Sequence, residues 1–243
     1  MTKQIGFSTG VLYQKYDSIS ERVIRACSEI GCTTIELNCH EWSIHIFRMQ
    51  NRTVREAVFE GDFESVSLHM PCNMSYSKHS PTTMNAVMFY LRMFQRLFDL
   101  HHIVVHPNQI DTPSLFRSDF INFAIENMDH RKNYCKRFHE MNEFLTQNPQ
   151  FGVVFDINHY IDTDGVADAI PKAIEYYSDR LVRIHISGID DSRYHVPLYR
   201  TKQSEFIKPL KDVSDDIPII IESVCADEQE MAREFEYVCK YAT

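Results

Sequence analysis

The 243-residue chain lacks the features that mark membrane, secreted and disordered proteins. No run approaches the ~18 apolar residues that a membrane helix needs. The opening MTKQIGFSTG has neither the apolar stretch nor the small-residue cleavage site of a signal peptide. The seven cysteines (27, 32, 39, 72, 135, 225 and 239) form no C-x-x-C pair and are odd in number, which argues against a disulfide framework and a Cys-rich structural zinc site. Most lie in apolar stretches, where a free thiol behaves as a small hydrophobe, so a reducing, cytoplasmic setting is expected. There is no G-x-G-x-x-G and no G-x-x-x-x-G-K-[ST], which leaves out the usual phosphate-cradling loops. Basic side chains are outnumbered 25 to 34, for a net charge of −9, so the chain carries no sequence-wide basic footprint for nucleic acid. A local patch or a bound metal would still reverse the field at one place. Glycine is scarce at 7 residues, whereas histidine reaches 12. With 44% apolar and 24% charged residues, what remains is an ordinary folded globular composition.

No Gly/Ser/Pro-rich linker, charge block or low-complexity segment divides the chain, so one domain over 1–243 is expected. A short β-branched run followed by a longer amphipathic stretch recurs instead. The runs are Ile5–Ser8, Thr33–Asn38, Ser65–His69, His102–His106, Asn122–Glu126, Val153–Asp156, Val182–Ile186 and Ile217–Glu222. Their spacing averages about 31 residues, close to one strand–helix–strand unit. The intervening stretches read as helices. Ser18 and Glu21 have capping-box spacing, Val23, Ala26, Cys27 and Ile30 follow at helical period, and Gly31 supplies a stop. Ser80-Pro81 opens the stripe Val87, Leu91, Phe94 and Phe98. Further stripes are Tyr134, Phe138, Met141 and Leu145; Val166, Ile170, Ala173 and Tyr177; and Met231, Phe235, Val238 and Cys239. The fourth helix, around Pro113–Ser118, is short and weak. Eight such units predict a (β/α)8 TIM barrel, the α/β fold that typically takes ~250 residues, in preference to an open doubly wound sheet.

Barrel chemistry sits at the C-terminal ends of the strands. Those ends carry Glu36, His69, His106, Glu126, Asp156 with His159 just beyond it, His185 with His195 in the following loop, and Glu222. An isolated buried charge at such a place is too costly, so these side chains must be paired, hydrogen-bonded or metal-bound. Any one of them alone would read as a core histidine or carboxylate. Together, at strand ends that converge in space, they predict a metal site. Imidazoles and carboxylates without thiolates suit Zn²⁺, Mn²⁺ or Fe²⁺. Paired metals are the standard solution for phosphoester cleavage, and the same hardware polarises the adjacent carbonyl and hydroxyl of a sugar.

The segments SLHMPCNMS, VVHPN, AIEN, FDINH, RIHIS and IIES, in this order and at these strand positions, resemble the xylose isomerase-like TIM-barrel superfamily, nearest its endonuclease IV (family 2 AP endonuclease) branch. The resemblance runs from IGFSTG to IPIIIES. It implies that His69, His106 and Glu126 bind a first metal, and that Glu126 bridges to a second completed by Asp156, His185 and Glu222. His159 and His195 match two ligands of a third, but the D-x-H motif that supplies its Asp reads Arg193-Tyr194-His195 here. An arginine is no ligand, so the third site is expected to be lost or weakened, with Asp190 or Asp191 as the nearest substitutes. The isomerase and epimerase branch implies a smaller set: Glu126, Asp156, His185 and Glu222 around one metal, both glutamates acting as acid and base, and Arg193 holding substrate.

The favoured reading is therefore a divalent-metal phosphoesterase with a two-metal site at the barrel mouth, Arg193 contacting phosphate. The alternative is a sugar or sugar-phosphate isomerase or epimerase that uses Glu126 and Glu222. Trp42, in the loop HEWSIHIF after the second strand, is placed to stack on a base or sugar or to plug the barrel edge. Asn73 is a substrate hydrogen-bonding candidate or a turn residue. Glu36 is an ambiguous strand-end acid that suits a supporting bond to a ligand histidine. Basic residues near the strand ends are few, and the short loops do not demand a DNA duplex.

Overall fold

The computed structural model describes residues 2–71, 81–163, 165–192 and 195–243. The sequence-predicted Asn73, Ser80 and Arg193 lie outside the described residues. The strands are β1 (Ile5–Ser8), β2 (Thr34–Asn38), β3 (Ser65–His69), β4 (His102–Val105), β5 (Phe123–Glu126), β6 (Gly152–Asp156), β7 (Leu181–Ile186) and β8 (Ile219–Ile221). They pair in parallel in sequence order, and β8 returns to β1 to close the barrel. The helices are α1 (Glu21–Glu29), α2 (Trp42–Met49), α3 (Arg52–Glu60), α4 (Pro81–Phe98), α5 (Phe138–Gln147), α6 (Ile157–Thr163), α7 (Ile170–Tyr177), α8 (Leu198–Thr201), α9 (Ser204–Ile207) and α10 (Glu228–Ala242). This is the (β/α)8 barrel the strand repeat predicts. Among the described residues no helix is long and apolar enough to cross a membrane, and the described cysteines are free.

Period-two alternation along each strand splits the residues into two environments. Ile35 and Leu37 of β2, Val66 and Leu68 of β3, Phe123 and Ile125 of β5, and Ile184 and Ile186 of β7 join the main apolar cluster. The same cluster holds the inward faces of the helices, such as Leu91 and Phe94 of α4 and Met231 and Val238 of α10. The alternate residues point into the lumen. There, Val104, Ala124 and Val154 form a small apolar group of their own. The rest of the lumen is polar, and its contacts cross the barrel: Arg183 of β7 donates from Nη2 to Ser65 Oγ of β3 at 3.0 Å.

Several local expectations are corrected. Ser18 does not cap α1; its hydroxyl donates to the Asn38 carbonyl at 2.8 Å, and Ser20 takes the N-cap position. The segment HEWSIHIF is not a loop, because Trp42 begins α2, and Asn51 then caps α3 through the Thr53 amide at 3.1 Å. Tyr134 precedes α5, since Cys135 takes a left-handed φ of 59° that no helix continues through. Val166 likewise precedes α7 and is exposed. Gly31, with φ 91°, does end α1 as expected. The weak fourth helix is two short 3-10 turns, Pro107–Gln109 and Pro113–Phe116.

Candidate metal centre

The lumen's C-terminal end brings the strand-end acids and imidazoles together. Glu126, the last residue of β5, is the hub. Its Oε2 lies 3.0 Å from His106 Nε2 and 3.4 Å from His69 Nε2, and its Oε1 lies 2.7 Å from His185 Nδ1. His185 Nδ1 is also 3.4 Å from Glu222 Oε1. Asp156 sits opposite His185 in the β6–β7 register, which sets these two donors side by side. Asn127 holds the Asp156 backbone from both sides, accepting from its amide at 2.7 Å and donating to its carbonyl at 2.9 Å.

Four overlapping groups have donor atoms within 4.8 Å of one another: His69, His106 and Glu126; Glu126, Asp156, His185 and Glu222; Asp156, His159 and His195; and Glu36, His69 and Glu222. The fold thus brings together all eight residues proposed from the sequence as ligands, with Glu126 shared between the first two groups. His159 is aimed by its Nδ1 contact to the Asn127 carbonyl at 2.8 Å. His195 returns to the mouth because Gly188 and Val196 form an antiparallel bridge that closes the loop between them. A Cβ on Gly188 would meet the Val196 oxygen at 2.8 Å, so this close approach needs glycine. Ser187 Oγ, 2.9 Å from His195 Nδ1, completes the support. Asp190 instead accepts from the Ser192 amide at 2.8 Å, and neither it nor Asp191 joins a donor group among the described residues.

Electrostatics favour a cation here. Asp156 Oδ2 is buried with no hydrogen-bond partner. Burial pushes the Asp156 carboxyl up to about 6 and the Glu222 carboxyl up to about 7, with the charge of Glu126 adding to both. Burial also acts on Glu126, but the surrounding His185, His106 and His69 outweigh it and hold this carboxyl well below its ordinary value. Burial lowers His106 to about 4 and His195 to about 3. The orphaned carboxylate oxygen and the lowered His106 and His195 fit a divalent ion. Despite burial, His69, raised to about 10, and His185 are pushed up by the neighbouring carboxylates in its absence and would give up their protons to it.

Sequence reasoning missed Arg183, Asn127 and Ser187. Arg183 is the most informative omission: it alternates with His185 in LVRIHI, and period two places both in the lumen. Trp42 is half-buried against the apolar cluster at the start of α2.

A cavity of about 980 Å³ opens beside Glu222 and His195. Its polar walls include Tyr13, Gln14, Asp17, Asn38, Glu41 and Glu230. Arg200 is the sole lysine or arginine among the described residues lining it, and its guanidinium is engaged by Glu230. His45 lies in the same wall, taking the Glu41 amide on Nδ1 at 3.0 Å and facing Asp17 Oδ1 with Nε2 at 3.3 Å.

Fold and site together define a (β/α)8 TIM barrel with a carboxylate- and imidazole-rich mouth. No protein-family model and no curated sequence matches the chain. Solved structures share its fold. A D-psicose 3-epimerase from Clostridium cellulolyticum aligns with TM-score 0.67 at 14% identity, covering 98% of each chain. A 3-keto-D-glucoside 4-epimerase from E. coli aligns with TM-score 0.69 at 11% identity over 99% of each. Endonuclease IV from Thermus thermophilus aligns with TM-score 0.67 at 12% identity, over 91% of this chain and 93% of that one.

Proposed function

We propose that this protein is a divalent-metal-dependent epimerase or isomerase of an unphosphorylated sugar. Glu126, Asp156, His185 and Glu222 would hold the ion, whose chemistry when bound is to polarise a carbonyl and its neighbouring hydroxyl. The observation that carries the substrate class is the charge of the cavity. Asp17, Glu41, Glu222 and Glu230 line it with one arginine, Arg200, which Glu230 engages; Arg48, outside the lining, pairs with Asp17 at 3.1 Å. A phosphate group has no guanidinium fork to meet among these residues, whereas hydroxyls have carboxylates, amides and phenols. The chain's own groups supply the proton chemistry. Two carboxyls whose environments push them apart, Glu126 down and Glu222 up, suit the opposite tasks of base and acid. One carboxylate takes the proton from the carbon beside the carbonyl, and the other carboxyl returns a proton to the carbon skeleton.

The epimerases among the fold neighbours support this reading. A second reading, phosphoester hydrolysis, is favoured by one specific observation: His69 and His106 converge on the same Glu126 oxygen, as donors for an adjacent ion would. The two separate in one assay. Metal-loaded protein in D₂O is offered free ketoses and aldoses, sugar phosphates and abasic-site DNA. Deuterium entering a free sugar beside its carbonyl, with no ester cleaved, is expected. Cleavage of a phosphoester without carbon exchange would overturn the proposal in favour of the hydrolase.

A further inference from the structure

Beneath the ligand layer lies a second buried layer that metal binding does not consume. Glu36 of β2, Ser67 of β3 and Arg183 of β7 form it, fully buried in the lumen beneath the equally buried His185. The β2–β3 register sets Glu36 directly opposite Ser67, whose hydroxyl donates to Glu36 Oε2 at 2.8 Å. Arg183 Nη1 lies 3.8 Å from the same oxygen, and Nη2 is tied to Ser65. Both Glu36 oxygens face one atom from above: His185 Nε2 is 3.2 Å from Oε1 and 3.3 Å from Oε2. The other ring nitrogen, Nδ1, points up at Glu126 and Glu222.

We infer that Glu36 is a positioning residue, anchored by Ser67 and Arg183, that fixes the ring and tautomer of His185 so that Nδ1 faces the metal. A carboxylate only accepts, so Nε2 carries hydrogen toward Glu36; Nδ1 meets Glu126 Oε1 at 2.7 Å in the metal-free chain, and it is the nitrogen that would give up its hydrogen to an ion. A histidine ligand held this way cannot rotate to offer the wrong nitrogen, and such supporting bonds are typically worth 10- to 100-fold in metal affinity. Glu36 also has an oxygen within 4.8 Å of donor atoms of His69 and Glu222, the spacing of a direct ligand. Its Oε2 instead takes the Ser67 hydroxyl and the His185 Nε2 contact, and its Oε1, 3.2 Å from the same Nε2, has no hydrogen-bond partner. The inference rests on the metal-site reading above, and its test separates the two.

The experiment is titration of the metal-free full-length protein with Mn²⁺ by calorimetry, alongside the ¹⁵N–¹H imidazole spectrum of the Zn²⁺-loaded form. Glu36→Ala is expected to weaken Mn²⁺ binding about 10- to 100-fold, and to lose the single Nε2–H signature of His185. Glu36→Gln keeps an accepting oxygen and is expected to restore binding to within about threefold of wild type. A direct-ligand role predicts instead that Gln fails like Ala, and that result overturns the proposal. Should Glu36→Ala leave Arg183 too exposed in charge to fold, Glu36→Met with Arg183→Met removes both charges together. Weak Mn²⁺ binding by that folded double variant supports the proposal, and wild-type binding overturns it. Wild-type protein that binds no Mn²⁺ sinks the metal-site reading and this inference together. Wild type that binds normally beside an unaffected Glu36→Ala sinks the positioning role alone.

Discussion

The outer face of the barrel and its lumen are built by the same eight strands, one residue apart, and they are opposite in chemistry. In β7, Ile184 and Ile186 enter the apolar layer under the helices, while Arg183 and His185 enter the lumen. In β3, Val66 and Leu68 face out, while Ser65, Ser67 and His69 face in. The outer layer gains stability by removing apolar area from water, at roughly 25 cal/mol per Å². The lumen buries charges, which cost stability unless each finds a partner. A strand can therefore hold a costly site because its other face is packed. Substitutions on the two faces should separate stability from metal binding.

The largest expected effect is in the lumen. Glu126→Gln removes the shared carboxylate charge and should lower turnover about 10³-fold or more, with metal affinity falling and the fold kept, as read by steady-state assay and circular dichroism. Next comes the outer face. Phe123 packs edge-on against Phe116 at a ring separation of 5.2 Å. Phe123→Ala should cost about 3–5 kcal/mol in urea unfolding, yet leave Mn²⁺ affinity unchanged. A large loss of affinity there would show that the two faces do not act separately.

Metal removal should have a smaller effect on stability. Chelation should lower stability by about 2.7 kcal/mol relative to metal at 100 times its Kd, visible as a drop in Tm that Glu126→Gln no longer shows. The smallest effect is a pH dependence. Burial raises the Glu222 carboxyl to about 7, from an ordinary 4.5. A carboxyl with a raised folded value stabilises the metal-free protein fully below about 4.5, and that contribution is lost as pH rises towards 7. In chelator, Glu222→Gln should therefore gain Tm relative to wild type between pH 4.5 and 7. Thermal melts across that range check the sign.

Much of this was legible in the sequence because period two and strand ends are local properties. HHIVVH, AIE and RIHI each announce a buried strand with a polar end, and the eight repeats imply closure. The candidate ligands from His69 to Glu222 were proposed from those strand ends, and the fold brings them together. What was not legible depends on pairs far apart in the chain. Glu36 meets His185 across 149 positions, and Arg183 meets Ser65 across 118. No local pattern assigns such partners. Likewise, Ser18 has the spacing of a cap, but the Asn38 carbonyl from β2 takes its hydroxyl. The favoured chemistry also shifted on a non-local property. The resemblance to the endonuclease IV branch favours a phosphoesterase, whereas the proposal of a neutral sugar rests on the acidic cavity assembled by residues as distant as Asp17 and Glu230.

The account's central claim is that the lumen's mouth is a divalent-metal site organised on Glu126. Equilibrium titration of the metal-free chain with Mn²⁺, wild type beside Glu126→Gln, tests it most directly. The account predicts at least one tightly bound ion per wild-type chain and a marked loss of binding in the variant. Absence of binding by wild type, or equal binding by both, would contradict it.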